Sequence, residues 1–388
     1  MRIIFLATKL DFLTGGGSAP ELDLKIRALQ ELGHEVILVT LFSKGNKGQR
    51  SSSGELIEES VTATGSFAIQ RAAYNMLRKY ESRADIFHID GVAYLYAGGW
   101  YRLRHGRVPV VAHLNREQSS FPSSRKKIER RTILWWYRRL RSRTRYVLEK
   151  YIGTRIANYI DVLTLTSPLQ IASYLKFGIS PDRMHLVPDF FDAKMMVPQE
   201  HAERAPQGRE LSVVTSGRME WEKGLDLVVR AVSLIPQDVC FTATISGDGP
   251  EQERLHELAR SLGVATRVEF PGWLPKKELF KRLASADIFV LPRWRPELAS
   301  MLLFEAMAYG LPCIVPAETT LAWSGGNGVA TFCVDDPTDL ACVILLLWKD
   351  RAKASLLGKL AKERLLALDY HAEALRLSEL MQKLVGTA

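Results

Sequence analysis

A unit of strand, turn and helix starts twice in this chain, and that repetition constrains the fold more than any other feature. RIIFLAT at residues 2–8 is a short apolar run with no charge after Arg2. Such a run suits a parallel strand buried on both faces. TGGGSAPELDLKIRALQELGHEV follows: glycines, a helical pattern, then a turn at Gly33–His34. VILVTLF at 36–42 completes one βαβ unit. Crossovers of this kind are right-handed, which gives a Rossmann-like layout. Further strands are expected at 84–90, 108–114 and 162–167. SKGNKGQRSSSG at 43–54 is expected to be a mobile loop.

The pattern restarts after VPQEHAERAPQGRE at 197–210, a polar, proline-bearing stretch with the composition of an interdomain linker. Strands are expected at 211–217, 240–247, 268–273, 286–292 and 311–316, with helices between them. The fold class is therefore α/β, with two Rossmann-like domains at 1–196 and 211–369. The final segment, 370–388, carries a separate helix expected to pack back across the domain joint.

The 388 residues are 47% hydrophobic and 24% charged, enough apolar content for two cores and too much for a disordered chain. A net charge of +9 favours anionic partners. Cys240, Cys313, Cys333 and Cys342 form no CxxC pair and are expected to be reduced, mostly buried thiols. The opening MRIIFLATKLDF is too short and too soon charged for a signal peptide, and no run is long enough to span a membrane.

Two carboxylates mark the second domain. In RPELASMLLFEAMAYGLPCIV at 295–315, Glu297 leaves a strand and Glu305 lies inside a helix that Ser300 would cap and Gly310 would end. Both fall near the carboxyl edge of a parallel sheet, where open α/β sheets bind ligands. The helix N-terminus favours a phosphate, and carboxylates nearby suit sugar hydroxyls. Arg218 and Lys223, in TSGRMEWEKGLD, reach the same edge from another strand and would stabilise a diphosphate.

This combination resembles the retaining nucleotide-sugar glycosyltransferases of the GT-B fold, family-four type. Gly217-Arg218, Lys223-Gly224, Glu297, Glu305-Ala306-Met307-Ala308, Gly310 and Pro312 match that family's C-terminal pattern in order. SGDGP at 246–250 and FPGWLP at 270–275 also fall where it places such segments. The resemblance implies two parallel sheets facing across a cleft. It further implies that Arg218 and Lys223 neutralise the leaving nucleotide diphosphate, that Glu305 holds the ribose, and that Glu297 contacts the donor sugar. Leu298, Ala299, Ser300 and Met301 would offer backbone N–H groups, and Trp273 and Leu274 would flank the base. Leu298-Ala299-Ser300 stands where the family often has Gly-Phe-Gly.

In the first domain Gly15, Gly16 and Gly17 resemble the family's first loop, whose backbone approaches donor phosphate. His113, ending strand 108–114, takes the place of a histidine close to the reacting sugar. VPDFFD at 187–192 departs from the family's Pro-Asn-Gly-Val-Asp, with Asp189 and Phe190 replacing Asn and Gly, and no chemistry is assigned there.

Residues 124–152 hold most of the surplus charge. Arg130, Arg131, Arg138, Arg139 and Arg141 surround Trp135 and Trp136 in a helical pattern with one apolar stripe, expected as a basic helix at 124–151. This suits an anionic membrane surface; packing of the stripe into the first domain is the other reading. No recognition module for nucleic acid accompanies it.

The expectation is a metal-independent hexosyltransferase without cofactor. It would move a sugar from a nucleotide-diphosphate sugar to a lipid-linked or membrane-associated glycan in envelope or polysaccharide assembly. It would work in the cytoplasm, peripheral to the inner face of the membrane. The alternatives are a nucleotide-sugar epimerase or phosphorylase of the same architecture, or a non-catalytic membrane-binding protein on that scaffold.

Overall fold

The computed structural model describes residues 1–12, 18–114, 144, 146–192, 210–292, 300–368 and 370–386. The linker expected at 197–210 lies outside them apart from Glu210. Two compact units divide the chain: Met1–Phe190 together with Tyr370–Ala388, and Phe191–Asp369.

The first unit is built on β1 (Arg2–Ala7), β2 (Glu35–Thr40), β3 (Leu56–Glu58), β4 (Ile86–Asp90), β5 (Val110–Leu114), β6 (Val162–Leu165) and β7 (Met184–Leu186). These form one sheet in the order β3-β2-β1-β4-β5-β6-β7, every pair parallel. Its central strands are continuous apolar runs because both faces are covered. Ile4, Leu6, Ile37 and Val39 enter one core, and Ile3, Phe5, Val36 and Leu38 the other. Each such side chain stabilises by roughly 1.5–3 kcal/mol relative to exposure. The helix Ser18–Glu31 leaves β1 and packs beside the C-terminal helix Tyr370–Gly386. Ala374, Leu377 and Met381 bury themselves in that core, and His34 Nε2 meets Ser378 Oγ at 2.7 Å.

The second unit uses β8 (Leu211–Ser216), β9 (Phe241–Ser246), β10 (Val268–Glu269), β11 (Ile288–Val290), β12 (Cys313–Pro316) and β13 (Val329–Phe332). Their order is β10-β9-β8-β11-β12-β13, again all parallel. Val213, Ile245, Val290 and Ile314 face one core, and Val214, Phe289, Cys313 and Val315 the other.

Three expectations need correction. β3, β7 and β13 were not legible, because each is short and only partly buried. The segment 43–54 is tied down: Ser51 N and Oγ donate to Asp23 Oδ2 at 2.7 and 2.6 Å, and Ser52 N to Asp23 Oδ1 at 3.1 Å. That carboxylate, in the helix Ser18–Glu31, anchors a stretch whose composition reads as loose. Of the four free cysteines only Cys313 is buried; Cys240, Cys333 and Cys342 are exposed. Cys313 alone lies inside a central strand.

Candidate active site

In each unit the strand order reverses direction at one place, the topological switch point where α/β sheets bind ligands. In the second unit this lies between β8 and β11. Gly217 and Arg218 follow β8, while Ser300 opens the helix Met301–Ala308 after β11. Strand order therefore brings Arg218 and that helix N-terminus to the same crevice.

The loops around Arg218 are knitted together. Met219 N donates to Asp248 O at 2.7 Å, Glu251 N to Met219 O at 2.9 Å, and Gly247 N to Gly272 O at 2.8 Å. At Gly247, with φ +138°, an added Cβ would lie 1.8 Å from the Gly217 carbonyl oxygen. Only glycine allows the β8 and β9 loops to touch there. The same network carries Trp273, exposed beside Gly272, and half-buried Leu274.

Arg218 is 62% exposed along its side chain, and its guanidinium donates to Glu220 Oε1 at 2.8 Å. Lys223 is the opposite, only 7% exposed. It ends the single turn Trp221–Lys223, after which Gly224 at φ 65° starts the helix Leu225–Leu234. Glu305 is 6% exposed. Burial raises its carboxyl above the ordinary range, and the Lys276 ammonium, 3.5 Å away, opposes that. Ser300 stands at the cap position with the extended backbone usual there, yet its hydroxyl makes no capping bond. The capping role expected of it is not present.

In the first unit the switch point lies between β1 and β4. His113, at the end of β5, is paired in register with Asp90 of β4. A charged cluster surrounds it. Lys25 is fully buried, 2.9 Å from Glu21 Oε1 and 3.5 Å from Asp90 Oδ1, with its ammonium 5.4 Å over the Phe190 ring. Burial raises the Asp90 carboxyl. His113 Nδ1 lies 3.0 Å from Thr164 Oγ1, and Nε2 3.4 Å from Asp189 Oδ1. Glu21, His113 and Asp189 each place one ligand atom within 4.8 Å of the others, close enough for a cation. Lys25 already supplies one, so the cluster is not assigned a metal.

Sequence reasoning missed Glu21, Lys25, Asp90, Asp189, Glu220 and Lys276. The one signal available was the Glu21–Lys25 spacing of four, which puts both on one helix face. The expected site residues Gly16, Gly17, Glu297, Leu298 and Ala299 lie outside the described residues. So do Arg130, Arg131, Trp135, Trp136, Arg138, Arg139 and Arg141 of the basic segment.

Two family models match the chain in succession. One is described as Glycosyltransferase Family 4, over residues 22–194, and the other as Glycosyl transferases group 1, over residues 197–364. The chain belongs to the GT-B glycosyltransferases of the family-four type. It is 33% identical over 120 residues to a lipopolysaccharide core biosynthesis glycosyltransferase, LpsE, from Rhizobium meliloti, covering 30% of this chain and 34% of that protein. It is 34% identical over 173 residues to a GDP-mannose-dependent phosphatidylinositol monomannoside mannosyltransferase from Mycolicibacterium smegmatis, covering 41% and 45%. The matches thus span about a third and under a half of those relatives' lengths.

A sucrose-phosphate synthase from Thermosynechococcus elongatus superposes with a TM-score of 0.77 at 20% identity, each chain covered over 100% of its length. Anabaena HepE, solved in complex with UDP, gives 0.72 at 17%, covering 99% of this chain and 100% of that one. At such identities the likeness establishes the shared fold. Among the described residues, no helix is long and apolar enough to cross a membrane.

Proposed function

We propose that this protein is a retaining glycosyltransferase. Its second unit binds a nucleotide-diphosphate sugar, and its first unit receives the acceptor hydroxyl. The observation that carries the reading is the convergence of Arg218 and the helix Met301–Ala308 on the β8/β11 switch point, with Glu305 buried in that helix. Breaking the sugar–diphosphate bond builds negative charge on the leaving group. Arg218, Lys223 and the first-turn amides from Ser300 and Met301 would stabilise it, which is the larger part of what such a site must do. Glu305, an acceptor of hydrogen bonds, would hold the ribose hydroxyls, and Trp273 and Leu274 would border the base. Glu297 would contact the sugar, and Gly16 and Gly17 the donor phosphate. With two cationic side chains at the leaving group the reaction needs no divalent ion, and activity is expected to survive chelation.

The acceptor is proposed to be a lipid-linked or membrane-associated glycan of envelope or polysaccharide assembly. The names of the two relatives and the net charge of +9 support this. The protein would then work peripherally at the inner face of the cytoplasmic membrane, through the arginines and tryptophans of 124–151. Flotation with anionic liposomes tests that part. Equal flotation after replacing Arg138, Arg139 and Arg141 would remove it.

The central test is a thermal-shift and calorimetric screen of UDP, GDP, ADP and dTDP. A nucleotide at a hundredfold over its Kd stabilises by about 2.7 kcal/mol. One of the four should do so, and replacing Arg218 and Lys223 together should abolish the shift. If none binds, the donor assignment fails.

A further inference from the structure

The first unit fixes the chemical state of a residue that the reaction would use. His113 is 1% exposed, and each ring nitrogen faces one partner: Thr164 Oγ1 at 3.0 Å from Nδ1, and Asp189 Oδ1 at 3.4 Å from Nε2. A neutral imidazole has one N–H and one lone pair, and a carboxylate only accepts. The proton therefore belongs on Nε2, directed at Asp189. The Thr164 hydroxyl, which can rotate to donate, then fills the Nδ1 lone pair. The other tautomer would set the Nε2 lone pair against a carboxylate oxygen.

The charged and titratable groups facing the ring are Lys25, Glu21, Asp90, Asp189 and His88. Burial, then the Lys25 ammonium, push the imidazole down to about 4, against the pull of Glu21 and Asp90. Lys25 has no exposure at all and is held by both carboxylates. Asp189 and Phe190 stand where the family pattern has Asn and Gly. One takes the His113 contact and the other lies under the Lys25 ammonium, so the departures and the buried lysine form one set.

We propose that Asp189, Thr164 and Lys25 are positioning residues that hold His113 as a neutral ring with its proton on Nε2, fixed in one orientation and one charge state. This rests on the glycosyl-transfer reading for its place in the reaction, but not for the state of the ring. The Nδ1 lone pair faces Thr164 of β6, and Nε2 carries the proton toward Asp189.

The test is long-range proton–nitrogen spectroscopy of the full chain, labelled at histidine, with the His113 signals assigned by their loss in His113→Gln. The ring should show the Nε2–H tautomer and no titration between pH 8 and 5. A ring that protonates within that range, or carries its proton on Nδ1, overturns the proposal. In Lys25→Met the ring should titrate at a midpoint higher by about one unit or more, because Glu21 and Asp90 then act on it unopposed. Asp189→Asn should mix the two tautomers. Thr164→Val, of matched shape, should shift Nδ1 alone, and it keeps the test open if Lys25→Met does not fold. An unchanged His113 spectrum in Asp189→Asn and Thr164→Val also overturns it. UDP, GDP, ADP and dTDP titrated into the same samples separate the two readings. Failure of all four in the unmodified protein removes the donor assignment and leaves the tautomer result standing on its own.

Discussion

The two units share a strand order around their switch points and furnish those points in opposite ways. In the first, charge is sealed: Lys25, Glu21 and His113 are 0%, 8% and 1% exposed, with Lys25 paired to Glu21 and Asp90 and His113 held by Thr164 and Asp189. In the second, the foremost cation is open, with Arg218 62% exposed and paired, among the described residues, with Glu220 beside it. A sealed cluster has a fixed geometry before any ligand arrives, and removing one member strands the others. An open cation can trade partners at little cost. The contrast suits a first unit with a preset surface and, on the proposed function, a second unit that seizes and releases a charged nucleotide.

The sharpest way to break that contrast is Lys25→Met. It leaves the Glu21 and Asp90 carboxylates buried without their cation, which typically costs about 3–5 kcal/mol. The melting transition of the first unit should fall by on the order of 10 °C. Nucleotide binding by the second unit should persist. Calorimetric scanning checks the first statement and a nucleotide titration the second. A variant as stable as the parent would mean that the cluster is not the anchor described.

Lys223→Ala is next. It touches the second unit's other cation, which is buried, and turnover should fall on the order of a hundredfold or more, as for loss of one stabilising group at a developing charge. The melting temperature should move far less than in Lys25→Met. Near-normal kinetics would remove Lys223 from the leaving-group role.

Both residues were visible in the sequence, but only one could be interpreted there. Lys223 sits in a local pattern, GRMEWEKG, whose spacing carries its meaning. Lys25 reads as one polar residue of an amphipathic helix. Beyond Glu21 on its own helix, its surroundings come from Asp90 of β4 and from Phe190, and Asp189 lies 76 residues from His113. Burial of a charge is a property of the assembled sheet, which periodicity does not report. The same division holds for the fold. Central strands such as RIIFLA announce themselves because both faces are covered. β3, with no buried residue, and β13, with mixed burial, lack the continuous run that would mark them. Gly247 was legible as part of SGDGP, whereas its reason, the Gly217 carbonyl, was not.

Acidification separates the units by sign. His113 is pushed down to about 4, and burial puts His88 well below its usual value of 6.5. Below pH 6.5 the unfolded chain therefore binds protons that the folded first unit refuses. Stability present above 6.5 is lost as pH falls toward 4. Hydrogen bonds hold the carboxyls of Asp85 and Glu59 below their ordinary range, which extends the loss at lower pH. Asp90, raised by burial, opposes it. In the second unit Glu305 is raised, so its folded form takes up a proton more readily and gains stability on acidification. Heating at pH 4.5 should therefore unfold the first unit before the second, seen as two transitions. Loss of both units together, at an unchanged temperature, would contradict this.

The smallest effect tests the open side of the comparison. The Arg218–Glu220 pair is exposed, and such pairs contribute at most about 1 kcal/mol. Glu220→Gln should leave the melting temperature of the second unit within a degree or two, because the guanidinium remains solvated either way. If Arg218 must leave Glu220 to grip a diphosphate, the substitution removes that competition and nucleotide affinity should rise, by no more than about fivefold. If instead Arg218 keeps Glu220 and binds phosphate through its remaining N–H groups, Glu220 is an orienting partner, and affinity should fall by a similar factor. The sign of a small change in Kd thus decides whether the open cation trades partners on binding or arrives already aimed.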